Sequence, residues 1–221
     1  MPLSAVLFDI DGTLVDSNYL HVDAWERAAA GAGFPVSAWH LHRAIGKDSA
    51  MLLETVLADA TDEQRDRTKE LHAEYYQALA PRLKVLPGAR ELLTAVAERG
   101  MRVVLATSAP EEELKLLREV LEAEEAVWAI TSSSDVETAK PEPDVVEVAL
   151  EKGETDAGDA LFVGDSIWDI KSAAAAGVAT IGLRSGGISE EELRGAGAIA
   201  VYDDPADLLA HLDESPLGRS A

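Results

Sequence analysis

The chain contains no cysteine, so a disulfide framework and thiolate chemistry are both excluded. It is poor in positive charge: 19 Lys and Arg stand against 41 Asp and Glu, a formal net charge of −22. A surface of that sign repels nucleic acid and anionic membranes, so neither is expected as a partner. There is no apolar run long enough to span a bilayer. The opening Met1-Pro2-Leu3-Ser4 has no basic segment and leads straight into an apolar run. No signal peptide is therefore expected, and a cytoplasmic location is. No internal repeat or low-complexity linker is evident. The acids are spread along the chain, which reads as solubility, in a salty cytoplasm for instance, rather than as an acidic tail.

What is present is 221 residues, 47% of them hydrophobic. That is enough for one domain with a real core, or a domain with a smaller insert. From Pro87 onward helical and strand-like patterns alternate. Helices are expected over Gly88–Arg99, Glu112–Leu121, Pro143–Lys152, Ile167–Ala176 and Pro205–Leu212. Strands are expected over Arg102–Ala106, Val127–Ile130, Ala160–Val163, Val178–Gly182 and Ala198–Tyr202. Such alternation implies an α/β fold with a parallel sheet covered on both faces. The run Ala5–Phe8 would join at its centre. Between Ser17 and about Lys84 only helical patterns occur, at Asp23–Gly31, Ser37–Ala44, Ser49–Ala60 and Asp62–Leu79.

Three apolar runs end in chemistry. Ala5-Val6-Leu7-Phe8 is followed by Asp9-Ile10-Asp11-Gly12-Thr13-Leu14. Carboxylates at the end of a buried strand are costly unless something uses their charge, and a hard divalent cation is the usual user. A plain Asp-Gly turn would leave the same sequence. Val103-Val104-Leu105-Ala106 runs into Thr107-Ser108, whose hydroxyls can donate to a phosphate oxygen; taken alone, hydroxyls ahead of Pro110-Glu111-Glu112-Glu113 read first as the N-cap of a helix. Leu161-Phe162-Val163-Gly164 ends in Asp165, with Asp169 four residues on. Helical spacing returns Asp169 to the side of Asp165; a first-turn acid favoured by the helix dipole would also sit there. Between these runs two prolines follow Lys140 in Lys140-Pro141-Glu142-Pro143 and are expected to hold its backbone extended, although a lone Lys is more often a solvated surface charge.

Asp-x-Asp-Gly-Thr, a hydroxyl, Lys-Pro and Gly-Asp-x-x-x-Asp, in that order over nearly the whole chain, resemble the haloacid dehalogenase superfamily. The likeness is to its phosphoglycolate phosphatase and β-phosphoglucomutase-like group. The resemblance implies a Rossmann-like core over 1–16 and 85–221, with a small helical cap inserted over 17–84. It implies that Asp9 is the nucleophile of an aspartyl-phosphate mechanism and Asp11 the general acid and base. Mg2+ would be held by the Asp9 carboxylate, the Asp11 backbone carbonyl and Asp165, with Asp169 acting through water or behind the ligands. Thr107, Ser108 and Lys140 would hold the phosphoryl oxygens of a small phosphorylated metabolite. His21, Trp25 and Gly46 match cap positions of the family, though a helix face and a helical core need such residues in any case. A monomer is expected.

Relatives that cleave carbon–halogen bonds resemble this pattern without the second Asp, so Asp11 argues for phosphate chemistry. Phosphonate-cleaving relatives use a cap lysine, and neither Lys47 nor Lys69 stands in a matching context. The alternative is a sugar-phosphate mutase. Such mutases carry an Arg three residues after the cap glycine, where this chain has Ser49, and Glu-Asp where it has Gly164-Asp165. From another class, a phospho-accepting signalling module shares the acids, hydroxyl and lysine, but is shorter and lacks both the helical insert and Asp-x-Asp-Gly-Thr.

Overall fold

The computed structural model describes residues 3–135 and 140–218. The chain divides into two compact units, Met1–Asp16 with Lys84–Ala221, and Ser17–Leu83. The first is built on a six-stranded sheet in the order β3-β2-β1-β4-β5-β6. Its strands are β1 (Ala5–Phe8), β2 (Arg102–Leu105), β3 (Val127–Ile130), β4 (Ala160–Gly164), β5 (Ala179–Leu183) and β6 (Ala200–Tyr202). All neighbours pair in parallel.

A parallel strand at the middle of such a sheet is buried on both faces and is apolar throughout. β1 fits: Ala5, Val6, Leu7 and Phe8 are all fully buried. Leu7, Val104 and Phe162 from three adjacent strands share one apolar cluster with Val145, Val146 and Ala149 of α7 (Asp144–Lys152) and Ala173 of α8 (Ile167–Ala175). The remaining helices of this unit are α5 (Ala89–Glu98), α6 (Glu111–Leu121), α9 (Glu190–Ala196) and α10 (Pro205–Ala210). After β1 the chain builds outward through β2 and β3. It then returns to the other side of β1 for β4, β5 and β6. The order therefore reverses beside β1, and in open parallel sheets ligands bind outside the carboxyl ends of the strands at such a point.

The second unit is helical among its described residues: α1 (Asn18–Gly31), α2 (Ala38–Ala44), α3 (Ser49–Val56) and α4 (Asp62–Leu79). Its core gathers Val22, Trp25, Ala29, Leu41, Leu52, Leu53 and Leu57. α1 starts five residues before the expected Asp23, because buried polar Asn18 and His21 interrupt the apolar period there. α3 stops at Val56 rather than Ala60. Arg65 on α4 reaches across and donates to the Leu57 and Ala58 carbonyls, satisfying the helix end from outside it. Among the described residues no helix is long and apolar enough to cross a membrane.

Candidate active site

The register places the chemistry. Phe8 pairs with Leu105 on one side and Val163 on the other, so the chain positions just after it on three adjacent strands end at one level. Asp9 follows β1 directly, Thr107 lies two residues past β2, and Asp165 leaves β4. All three are buried, and so are Lys140 and Asp169.

The carboxylate oxygens of Asp9, Asp165 and Asp169 lie within 4.8 Å of one another. Lys140 Nζ is in contact with Asp9 Oδ1 and lies 2.6 Å from Asp169 Oδ1. Burial pushes the Asp9 carboxyl up to about 7 against the pull of the Lys140 ammonium, and the charges of Asp169 and Asp11 add to the rise. Burial alone would lower Lys140, but Asp169 and Asp9 outweigh it and hold the ammonium well above its ordinary value. Lys140 is thus a fixed positive charge at any working pH.

Each acid is oriented locally. The Thr13 hydroxyl donates to Asp165 Oδ1 at 2.8 Å and sits 3.5 Å from Asp9 Oδ2. Ser166 caps α8, and Asp169 closes the capping box: its Oδ2 accepts from the Ser166 N–H at 2.9 Å and hydroxyl at 2.7 Å. Asp169 therefore reaches Asp165 by turning back over the helix start rather than by riding one helical face with it. One Asp169 oxygen caps the helix while the other faces Lys140. Thr13 and Ser166 carry no role in the sequence reading; their place beside the acids is the only signal the sequence offers for them.

At Thr107 the backbone N–H is taken by the Thr131 hydroxyl at 2.9 Å, and the side-chain oxygen accepts from the Ala109 N–H at 3.0 Å. Only the Thr107 hydroxyl hydrogen is left to give outward. Thr131, which also donates to the Thr107 carbonyl at 2.6 Å, is a second-strand support that its plain strand-end position did not advertise. Ser108 follows at the half-buried start of the loop before α6. Asp11 sits in the loop after β1, bridged to Val15, and its charge is felt at Asp9.

Three buried carboxylates facing one ammonium leave excess negative charge out of water, which is costly unless a cation offsets it. An all-oxygen donor set converging this closely suits a hard divalent cation such as Mg2+.

The other sequence-predicted residues lie in the helical unit. His21 stacks on Tyr76 with ring centres 3.9 Å apart, and its Nδ1 is 3.1 Å from His72 Nε2. Trp25 stacks on His72 at 3.7 Å and belongs to the helical core. Burial, then the neighbouring His21, hold His72 well below the usual histidine range. Gly46 sits between α2 and α3 at φ +92°, a backbone that a side chain would strain.

Comparison with known proteins identifies the family. The family model of haloacid dehalogenase-like hydrolases matches residues 3–177. The chain belongs to that family. It is therefore an enzyme, a hydrolase of the haloacid dehalogenase type. A phosphoglycolate phosphatase from Rhodospirillum rubrum is 33% identical over 214 residues, 92% of this chain and 88% of that one. A phosphorylated carbohydrates phosphatase from Thermotoga maritima is 30% identical over 96% of this chain and 99% of its own length. Among solved structures, a hydrolase from Pseudomonas syringae superposes with a TM-score of 0.91 at 37% identity, covering 96% of this chain and 98% of that one. A β-phosphoglucomutase from Clostridium difficile shares the fold, at 19% identity and a TM-score of 0.82 over 96% of both chains.

Proposed function

We propose that this haloacid dehalogenase-like hydrolase is a magnesium-dependent phosphatase of a small phosphorylated metabolite. The observation that carries the reading is the buried Asp9–Lys140–Asp169–Asp165 cluster at the carboxyl ends of β1 and β4. Phosphatases among the relatives support the reaction class.

In this reading Asp9 attacks phosphorus in line, forming an aspartyl-phosphate and releasing the alcohol. Asp11 gives the leaving oxygen its proton, then takes one from the water that cleaves the acyl phosphate. Lys140 and the Thr107 hydroxyl neutralise and orient the phosphoryl oxygens, with the Ser108 N–H alongside. Phosphoryl transfer is mostly positioning and charge neutralisation, so these groups carry much of the acceleration. Asp9, Asp165 and the Asp11 backbone carbonyl would hold Mg2+, with Asp169 behind them; the ion would neutralise phosphate charge and let Asp9 stay ionised. The helical unit Ser17–Leu83 is read as the substrate-selecting cap.

Hydrolysis is favoured over mutase chemistry by one contact. A Cβ built at Gly164 would lie 2.6 Å from the Asp169 Cβ and Cγ. The Glu that the mutases carry at this position does not fit while Asp169 caps α8. Ser49 begins α3 behind its Asp48 cap and offers no guanidinium fork for a second phosphate.

The test is phosphate release from a panel of phosphorylated sugars, phosphoglycolate and nucleoside monophosphates, with Mg2+ and with excess chelator. Turnover of at least one member that vanishes with chelator is expected; full activity in chelator refutes the site. β-Glucose 1-phosphate with a trace of the bisphosphate separates the alternatives. Efficient glucose 6-phosphate formation with little free phosphate would overturn the phosphatase in favour of a mutase.

A further inference from the structure

The turn that follows β5, Arg184–Gly186, makes two contacts with the acidic cluster's supports. The Ser185 hydroxyl donates to the Gly12 carbonyl at 2.6 Å. Gly186 is buried and its backbone lies hard against the Asp165 carboxylate: a Cβ there would sit 1.8 Å from Oδ2, 2.6 Å from Cγ and 2.9 Å from Cβ. No left-handed backbone is involved at Gly186, unlike Gly187 with its φ of +86°. The glycine is required for close approach and not for conformation.

The Asp165 carboxylate is therefore held from two sides. Thr13 donates to Oδ1 at 2.8 Å, and Gly186 closes the space at Oδ2. β5 is the neighbour of β4 on the side away from β1. Its turn thus reaches over the β4 end to the loop after β1. Ser185 fastens that reach at Gly12, the residue next to Asp11. One turn fixes both the rotation of a carboxylate and the position of the Asp11–Gly12 loop.

We infer that Ser185 and Gly186 are positioning residues of the divalent-cation site, setting the orientation of Asp165 and of the Asp11–Gly12 loop. The inference rests on the metal site proposed above. Mg2+ demands near-octahedral oxygen geometry, so a carboxylate rotated by an intruding methyl group binds it poorly. Groups that orient metal ligands typically cost 10–100-fold in affinity when removed.

Divalent binding is read directly, by calorimetry with Mg2+ and by the EPR signal of Mn2+, on wild type, D165N, G186A, S185A and S185T. Circular dichroism reports the fold of each. Wild type binds and D165N does not. G186A weakens both ions by about 10–100-fold, and S185A weakens them as well, by less. S185T keeps the hydroxyl and keeps the affinity. In turnover, G186A raises the Mg2+ concentration needed for half-activity while KM for the phosphoester moves little. If G186A fails to fold, the S185A and S185T pair carries the test. Wild type without divalent binding overturns the metal site and this inference with it. Wild-type binding that D165N loses but G186A and S185A keep within about twofold overturns the inference alone.

Discussion

Lys140→Met isolates the charge at the centre of the cluster. Lys140 is 4% exposed, and its ammonium sits between Asp9 and Asp169, whose side chains are 10% and 1% exposed. Met keeps an unbranched stem of similar length beside Phe162, whose ring centre is 5.5 Å from Nζ. Little packing is lost, so the effect reads the charge. Removing one partner of a buried ion pair typically costs about 3–5 kcal/mol, because the other charge is left uncompensated. For a chain of this size each kcal/mol moves Tm by roughly 2–4 °C, so a fall of about 10 °C is expected in chelator at pH 8. The loss depends on pH, and its sign follows from Asp9. Its folded carboxyl already lies at about 7, above the ordinary 3.8 of a free aspartate; without Lys140 it rises further. A group raised in the folded state favours folding when protonated, and that advantage fades as pH rises through the folded pKa. The penalty of K140M is therefore smaller at pH 6, where Asp9 takes up a proton, than at pH 8. Thermal unfolding of both proteins at the two pH values, in chelator and in Mg2+, is the assay. Mg2+ should restore part of the loss. A variant within about 2 °C of wild type at pH 8 in chelator would refute the claim that Lys140 offsets buried negative charge.

Asp9→Asn is expected to abolish turnover and phosphoenzyme formation while circular dichroism stays native; retained phosphatase activity removes Asp9 from the nucleophile's place. Asp11→Asn should lower kcat by ~10²–10⁴-fold with substrate binding kept; a variant unaffected on substrates with poor leaving groups takes Asp11 out of acid–base work. Protons and Mg2+ compete at Asp9, whose carboxyl burial raises to about 7, so Mg2+ affinity should increase as pH rises from 6 to 8. Calorimetry showing a flat affinity over that range would separate Asp9 ionisation from metal binding.

The sheet was legible because its strands are short and buried on both faces. Ala5–Phe8, Arg102–Leu105 and Ala160–Gly164 read as apolar runs with turn chemistry behind them, and parallel strands are usually joined through a helix. Asp9, Thr107 and Asp165 were legible for a related reason: a polar group directly after a buried run has its place set by the run. Helix ends were less so. α3 stops where Arg65, eight residues beyond Leu57, donates to the carbonyl of its C-cap Leu57, a cap with no local sequence sign. For Asp169 the convergence was foreseen but its route was not, because four-residue spacing fits one helical face and a capping box alike.

Gly186 was invisible for a deeper reason. Sequence reading finds chemistry through side chains that carry it, and the contribution of Gly186 is to have none. Its contact with Asp165 exists only because β4 and β5 are adjacent and in register, Gly164 beside Gly182, so that residues twenty-one apart meet at one sheet edge. Gly164 repeats the lesson nearer the motif. In sequence it is only the first half of Gly-Asp, yet its necessity lies in the Asp169 side chain that fills the space of its missing Cβ. Two glycines thus border two of the three clustered acids, and each makes room for a carboxylate. In a cluster whose charge excess demands tight geometry, such space is as specific as a ligand, and only the folded chain reveals who occupies it.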